Sequence, residues 1–298
     1  MNFKYTKLLG YCLACSVFLL MLSCGSEKKE STDNASEFEQ AETEIRDQIE
    51  KVLIQLPPPS ELPFLLEATG ADYDGSLVND VTSVDRYKST NNKAAMNLGI
   101  YAADVGYLSS YNKVQDALTY LNTAKTLADE VGVANSFDLE LLERFESNLS
   151  SNDSLGAILN EVVANSDKHL QDNNRKKTAA LMLTGSFIEG LYLTTSLVQN
   201  YPKDILPEDS RNLILVPVIR LILDQEKPLA DLITLLKSVD QDEDISGMIT
   251  RLEGLHGKYQ ELSVEDNIQN NRGDLLVTDA TVVDITQQVA EIRGYITS

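Results

Sequence analysis

The chain has no tryptophan, two histidines and three cysteines in 298 residues. Each scarcity excludes something. His169 and His256 are far apart, and no His-x-x-x-His pair exists to hold zinc. No Gly-x-Ser-x-Gly elbow, phosphate loop or dinucleotide fingerprint occurs, so the usual parts of hydrolases, kinases and dehydrogenases are missing. Cations are scarce as well. Lys+Arg number 25 against 46 Asp+Glu, a net charge of −21. Phosphate binding needs clustered Lys and Arg, so no nucleic-acid partner is expected, nor an anionic lipid surface met through a basic face. A hydrophobic fraction of 43% is enough for a packed core. The length fits one large domain or two small ones.

The first 24 residues read as an address, to be set aside before the fold is considered. Lys4 and Lys7 precede an uncharged 15-residue run from Leu8 to Leu22. That run is short for a membrane span and is followed at once by polar sequence. Met21-Leu22-Ser23-Cys24 comes next, then Gly25-Ser26-Glu27-Lys28-Lys29-Glu30. The stretch resembles a bacterial lipoprotein signal, in which the peptidase cuts before a cysteine that then carries lipid. The resemblance implies removal of residues 1–23, lipid on Cys24 and, with Gly25 rather than Asp after it, sorting to the outer membrane. Cys12 and Cys15 have the spacing of a redox or metal pair, but they lie inside the removed segment. One cysteine then remains, as an anchor. The mature chain would carry 23 Lys+Arg against 46 Asp+Glu, a net of −23. Residues 24–36 form a lipidated, polar tether.

The remainder, 37–298, is expected to be a single all-α domain, a multi-helix bundle or short solenoid of nine or ten helices. Phe38, Ala41, Ile45, Ile49, Val52, Leu53 and Leu56 mark an amphipathic helix over 37–56, stopped by Pro57-Pro58-Pro59. A short helix follows over 60–70, then a loop over 71–82. Further helices are expected at 91–110, 112–131, 136–149, 153–171, 175–200, 209–224, 228–239, 243–262 and 279–297. Thr278–Ile285 is the one β-branched stretch, and its two-residue rhythm gives way to a helical one.

Two helices resemble each other. At a shift of 85 residues, Ala94-Ala95-Met96 falls on Ala179-Ala180-Leu181, Asp104 on Glu189 and Tyr107-Leu108 on Tyr192-Leu193. At a shift of 74, Leu149, Leu155, Ile158 and Val162 fall on Leu223, Leu229, Leu232 and Leu236. Duplication of a several-helix unit, 91–171 and 175–240, would produce this pattern, as would chance alignment of helices rich in Ala and Leu. The chain resembles the uncharacterised all-helical lipoproteins of Bacteroidota-type bacteria. The carrying features are the signal, Leu56-Pro57-Pro58-Pro59-Ser60 and the run Asn97-Leu98-Gly99-Ile100-Tyr101-Ala102-Ala103-Asp104-Val105-Gly106-Tyr107. That resemblance implies a location and a fold, and no mechanism.

The matched helices hold the candidate site. Helix 91–110 carries six Ala and Gly residues, and Gly disfavours a helix interior, so close helix approach or room for a ligand is expected. Asp104 shares a face with Tyr107, and Glu189 with Tyr192. Two readings follow. Each acid satisfies buried polar groups, its own tyrosine among them. Or the pair lines a pocket for a cation or amine, and Asp104→Asn with Glu189→Gln abolishes binding without unfolding. Residues 178–198 hold one charge, Glu189, over membrane-span length, but a mid-helix acid favours a buried core helix. Asp240-Gln241-Asp242-Glu243-Asp244 fails as a calcium loop, with Ile245 at the sixth position and Arg251 at the twelfth, and reads instead as a cap for the next helix. Asp72-Tyr73-Asp74-Gly75 is a weak calcium motif, and Arg272-Gly273-Asp274 a chance-level adhesion tripeptide.

The sequence therefore points to no catalytic residue, no metal and no cofactor. The leading expectation is a non-enzymatic interaction or scaffold protein of the cell envelope, held to the membrane by lipid and bound to an envelope protein. The alternative is a periplasmic or surface ligand-binding protein with a small molecule near Asp104, Tyr107, Glu189 and Tyr192. An enzyme using paired carboxylates comes third.

Overall fold

Among the described residues, the segments in which apolar residues recur every three or four positions are helical. The computed structural model describes residues 72–133, 173–201, 207–261 and 280–298, all within the compact unit Asp47–Ser298. These residues are 82% helical and contain no strand, so the chain is all-α. The expected lipid anchor Cys24, the tether and the helices at 37–56, 60–70, 136–149 and 153–171 lie outside the described residues. So do His169 and Arg272-Gly273-Asp274.

A 3-10 turn, Val81–Ser83, runs into a single-turn helix α1, Val84–Tyr87. Among the described residues seven longer helices follow: α2 Asn91–Ser110, α3 Val114–Glu130, α4 Asn173–Asn200, α5 Glu208–Leu223, α6 Glu226–Ser238, α7 Glu243–Gln260 and α8 Ala280–Ile296. The Thr90 hydroxyl starts α2 by accepting from the Lys93 N–H at 3.2 Å. Asn112 ends it in the left-handed region, φ 56°, while the Lys113 N–H closes back on the Leu108 carbonyl at 2.9 Å. That turn is why α3 begins at Val114 rather than at 112. Gly132, φ 76°, ends α3 in the same way. In α5, Pro217 removes one intrahelical hydrogen bond. It sits on the exposed face together with Leu213, whose carbonyl loses its partner, so water can satisfy that group.

α4 is the axis of the fold. It packs against α2, α5, α6 and α8, while α2 also holds α3, and α7 bridges α6 and α8. The Lys176–Asn200 stretch is apolar and long enough to cross a membrane by composition, but 78% of its most apolar window is buried inside the protein. It is a core helix in this structure.

α2 and α4 run in the same direction. Asn92 and Lys177, near their starts, both bond Asp242, and Tyr107, Leu193 and Leu197, near their ends, share one apolar cluster. Their glycines meet backbone to backbone. A Cβ on Gly99 would lie 2.0 Å from the Met182 carbonyl oxygen, and one on Gly185 would lie 1.8 Å from that of Met96. These contacts are reciprocal: Met96 and Gly99 correspond to Met182 and Gly185 at a shift of 86, one residue from the alignment that pairs the two acids. Small residues in these helices thus mean close approach.

Candidate functional site

Four segments converge on one buried polar cluster. α2 brings Asp104 and α4 brings Glu189, both 0% exposed. The stretch before α1 brings Asn79 and the Leu77 carbonyl, and α8 brings Arg293. The last of these was not singled out in the sequence. Val282, Ile285, Val289, Ile292 and Ile296 form the buried face of α8, and Arg293 stands four residues after Val289, on that same apolar stripe. A lone cation on a core stripe was the available signal.

Arg293 grips Glu189 with two parallel bonds, Nε to Oε2 at 2.6 Å and Nη2 to Oε1 at 2.9 Å. Its Nη2 also donates to the Leu77 carbonyl at 3.0 Å. Planar two-point pairing of this kind is the strong form of an ion pair. The guanidinium carbon lies 4.2 Å from the centre of the Tyr192 ring, in reach of its π face. Asp104 Oδ2 accepts from the Asn79 N–H at 3.1 Å, whereas Asp104 Oδ1 is buried with no partner bonded to it as a carboxylate.

Electrostatics follow from this geometry. Burial pushes the Asp104 carboxyl well above the usual range, and the Glu189 charge adds to the effect. Burial also raises Glu189, against the pull of Arg293. Burial disfavours the Arg293 charge, but the Glu189 carboxylate more than offsets that and holds the guanidinium charged.

The structure brings Asp104 and Glu189 together. Their tyrosines play other parts. The Tyr107 hydroxyl accepts from the Asp74 N–H at 3.2 Å and faces the Asp74 carbonyl at 3.3 Å. Tyr192 stacks on Arg293 and not on an acid. The reason is distance along the chain: the sequence compares neighbours on one helix, while the true partner of Glu189 is 104 residues away.

The remaining motifs have local roles. Asp242 caps α7 through the Ile245 N–H at 2.9 Å, and Glu243 and Asp244 occupy the first turn. Asp74 accepts from the Ser76 N–H and hydroxyl at 2.8 and 2.6 Å, a self-contained turn. Glu253, three residues before His256, pairs with Lys237 at 2.7 Å, while His256 Nε2 lies 3.7 Å from Glu226. Among the described residues no group of three His, Cys, Asp or Glu is placed to hold a metal ion.

Comparison with protein-family models, curated proteins and solved structures returned no match.

Proposed function

We propose that this chain is an outer-membrane lipoprotein, tethered through Cys24, whose helical domain binds another envelope protein and catalyses no reaction. One observation supports this over the pocket reading. The position where two acids would receive a cationic ligand is filled by the chain's own Arg293, bonded to both oxygens of Glu189. A ligand there would have to displace a buried two-point ion pair, and the glycine contacts bring α2 and α4 together without a gap between their backbones. An enzyme using these carboxylates would meet the same obstacle. The anchor rests on the resemblance of residues 1–24 to a lipoprotein signal.

The test expresses the full chain with a C-terminal affinity tag. The native protein should fractionate with the outer membrane, and Cys24→Ala should move to the soluble fraction. Detergent-solubilised envelope should yield one protein that co-purifies at fixed ratio with the lipidated form. If nothing co-purifies, and a small amine raises the melting temperature in an Asp104-dependent way, the ligand-binding reading replaces this one.

A further inference from the structure

With both acids ionised, the cluster at Asp104 carries a surplus negative charge. Two carboxyls stand beside one guanidinium, and both oxygens of Glu189 already engage that guanidinium. Asp104 has one backbone donor, from Asn79, and an orphaned Oδ1. A buried carboxylate without a cation or a full set of donors is strongly disfavoured, and such a group takes up a proton instead. A proton on Oδ1 cancels the surplus charge and turns the orphan acceptor into a donor, with the Glu189 carboxylate in hydrogen-bonding reach of the Asp104 side chain.

We propose that Asp104 is a neutral carboxylic acid that donates its proton to Glu189, and that this proton is the pin of a latch holding the C-terminal helix α8 on the α2–α4 pair.

The latch is visible in the contacts of the chain end. Arg293 reaches Glu189 and the Leu77 carbonyl. Asn97 Nδ2 donates to the Ile296 carbonyl at 3.0 Å, Tyr87 Oη to the Thr297 carbonyl at 3.3 Å and Lys93 Nζ to the Ser298 carbonyl at 3.0 Å. If Asp104 ionises, its charge stands next to Glu189 with a single guanidinium between them. Burial of that second charge outweighs its added attraction to Arg293, and lifting α8 relieves it by admitting water, so the closed state loses stability.

The groups facing Asp104 leave it as the titrating member. Glu189 comes from α4 and Arg293 from α8. Tyr101 and Tyr107 share its helix, Tyr73 lies in the stretch before α1, and Tyr120 comes from α3. Burial holds all four phenols above their ordinary range, so they stay neutral while the carboxyl pair changes. The sign is fixed by linkage. The folded state holds a proton on Asp104 that the open state gives up. Opening is therefore suppressed most at low pH and grows as pH rises, up to the point where Asp104 ionises in the closed state. Where one proton leaves on opening, the opening equilibrium changes tenfold per pH unit.

Infrared spectroscopy of the full chain labelled with ¹³C-aspartate tests the proton directly. The wild type near neutral pH should show a protonated-carboxyl C=O band that shifts with the label, and Asp104→Asn should lack it. Hydrogen exchange then reads the latch. The opening equilibrium of α8 amides should rise about tenfold per pH unit in the wild type. It should be nearly flat in Asp104→Asn, whose amide supplies the same donor and acceptor without a charge. Absence of a label-sensitive band in the wild type overturns the proposal, even if the variant does not fold. A band that persists in Asp104→Asn overturns it too, as does an α8 opening equilibrium that is flat with pH in the wild type.

Discussion

At the scale of single residues, Asp242 does three tasks with one carboxylate. It caps α7 through the Ile245 N–H, accepts from Asn92 at 2.8 Å and pairs with Lys177. Against the cost of its burial, the bonds from Lys177, the Ile245 N–H and Asn92 hold it at about 2. A carboxyl depressed below its unfolded value near about 3.9 contributes stability above that value and loses it as pH falls through the folded one. The melting temperature should therefore drop between about pH 4 and about pH 2, and Asp242→Asn should remove part of that slope. Its side chain is 37% exposed, so solvent screening limits the ion-pair share. Asp242→Ala, which also loses the cap, should cost about 1 kcal/mol at neutral pH by chemical denaturation.

At the scale of elements, the glycines divide into two kinds. Gly99 and Gly185 lie where a Cβ would strike backbone, which cannot swing aside. Gly257, within α7, has nothing near the position a Cβ would take. Gly99→Ala and Gly185→Ala should each cost about 3 kcal/mol or more, as overpacking of a closed helix seam. Gly257→Ala should gain about 0.5–1 kcal/mol from helix propensity. Denaturant midpoints of the three variants check this, and equal effects would remove the distinction. Much of this level was legible in the sequence. Helix 91–110 has the bounds expected of it, and the Asp242 cap follows from acids placed before an apolar period. Less legible was the start of α3, because Asn112 takes a left-handed turn that its side-chain type permits but does not announce. The direction of α2 relative to α4 was not legible either, since it depends on what lies between them in the fold.

At the scale of the whole molecule, a chain with 46 acids and 25 bases commits two of its acids and one of its bases to a single interior cluster. The sequence marked Asp104 and Glu189 because their surroundings are uncharged and similar. It did not mark Arg293, because α8 resembles neither of the other two helices and meets them only through tertiary contact. The cluster joins α2, α4, α8 and the stretch before α1, so its loss should be felt by the entire domain and not by one element. A pocket that merely happened to contain these residues would behave otherwise. The most direct measurement is a double-mutant cycle on unfolding free energy with Glu189→Gln, Arg293→Met and the pair. Each single change leaves a buried charge or an unmatched polar group and should cost about 3–5 kcal/mol. The account predicts that the pair together costs well below the sum, with a coupling of about 2 kcal/mol or more. Additive losses, or single variants as stable as the parent, would contradict it.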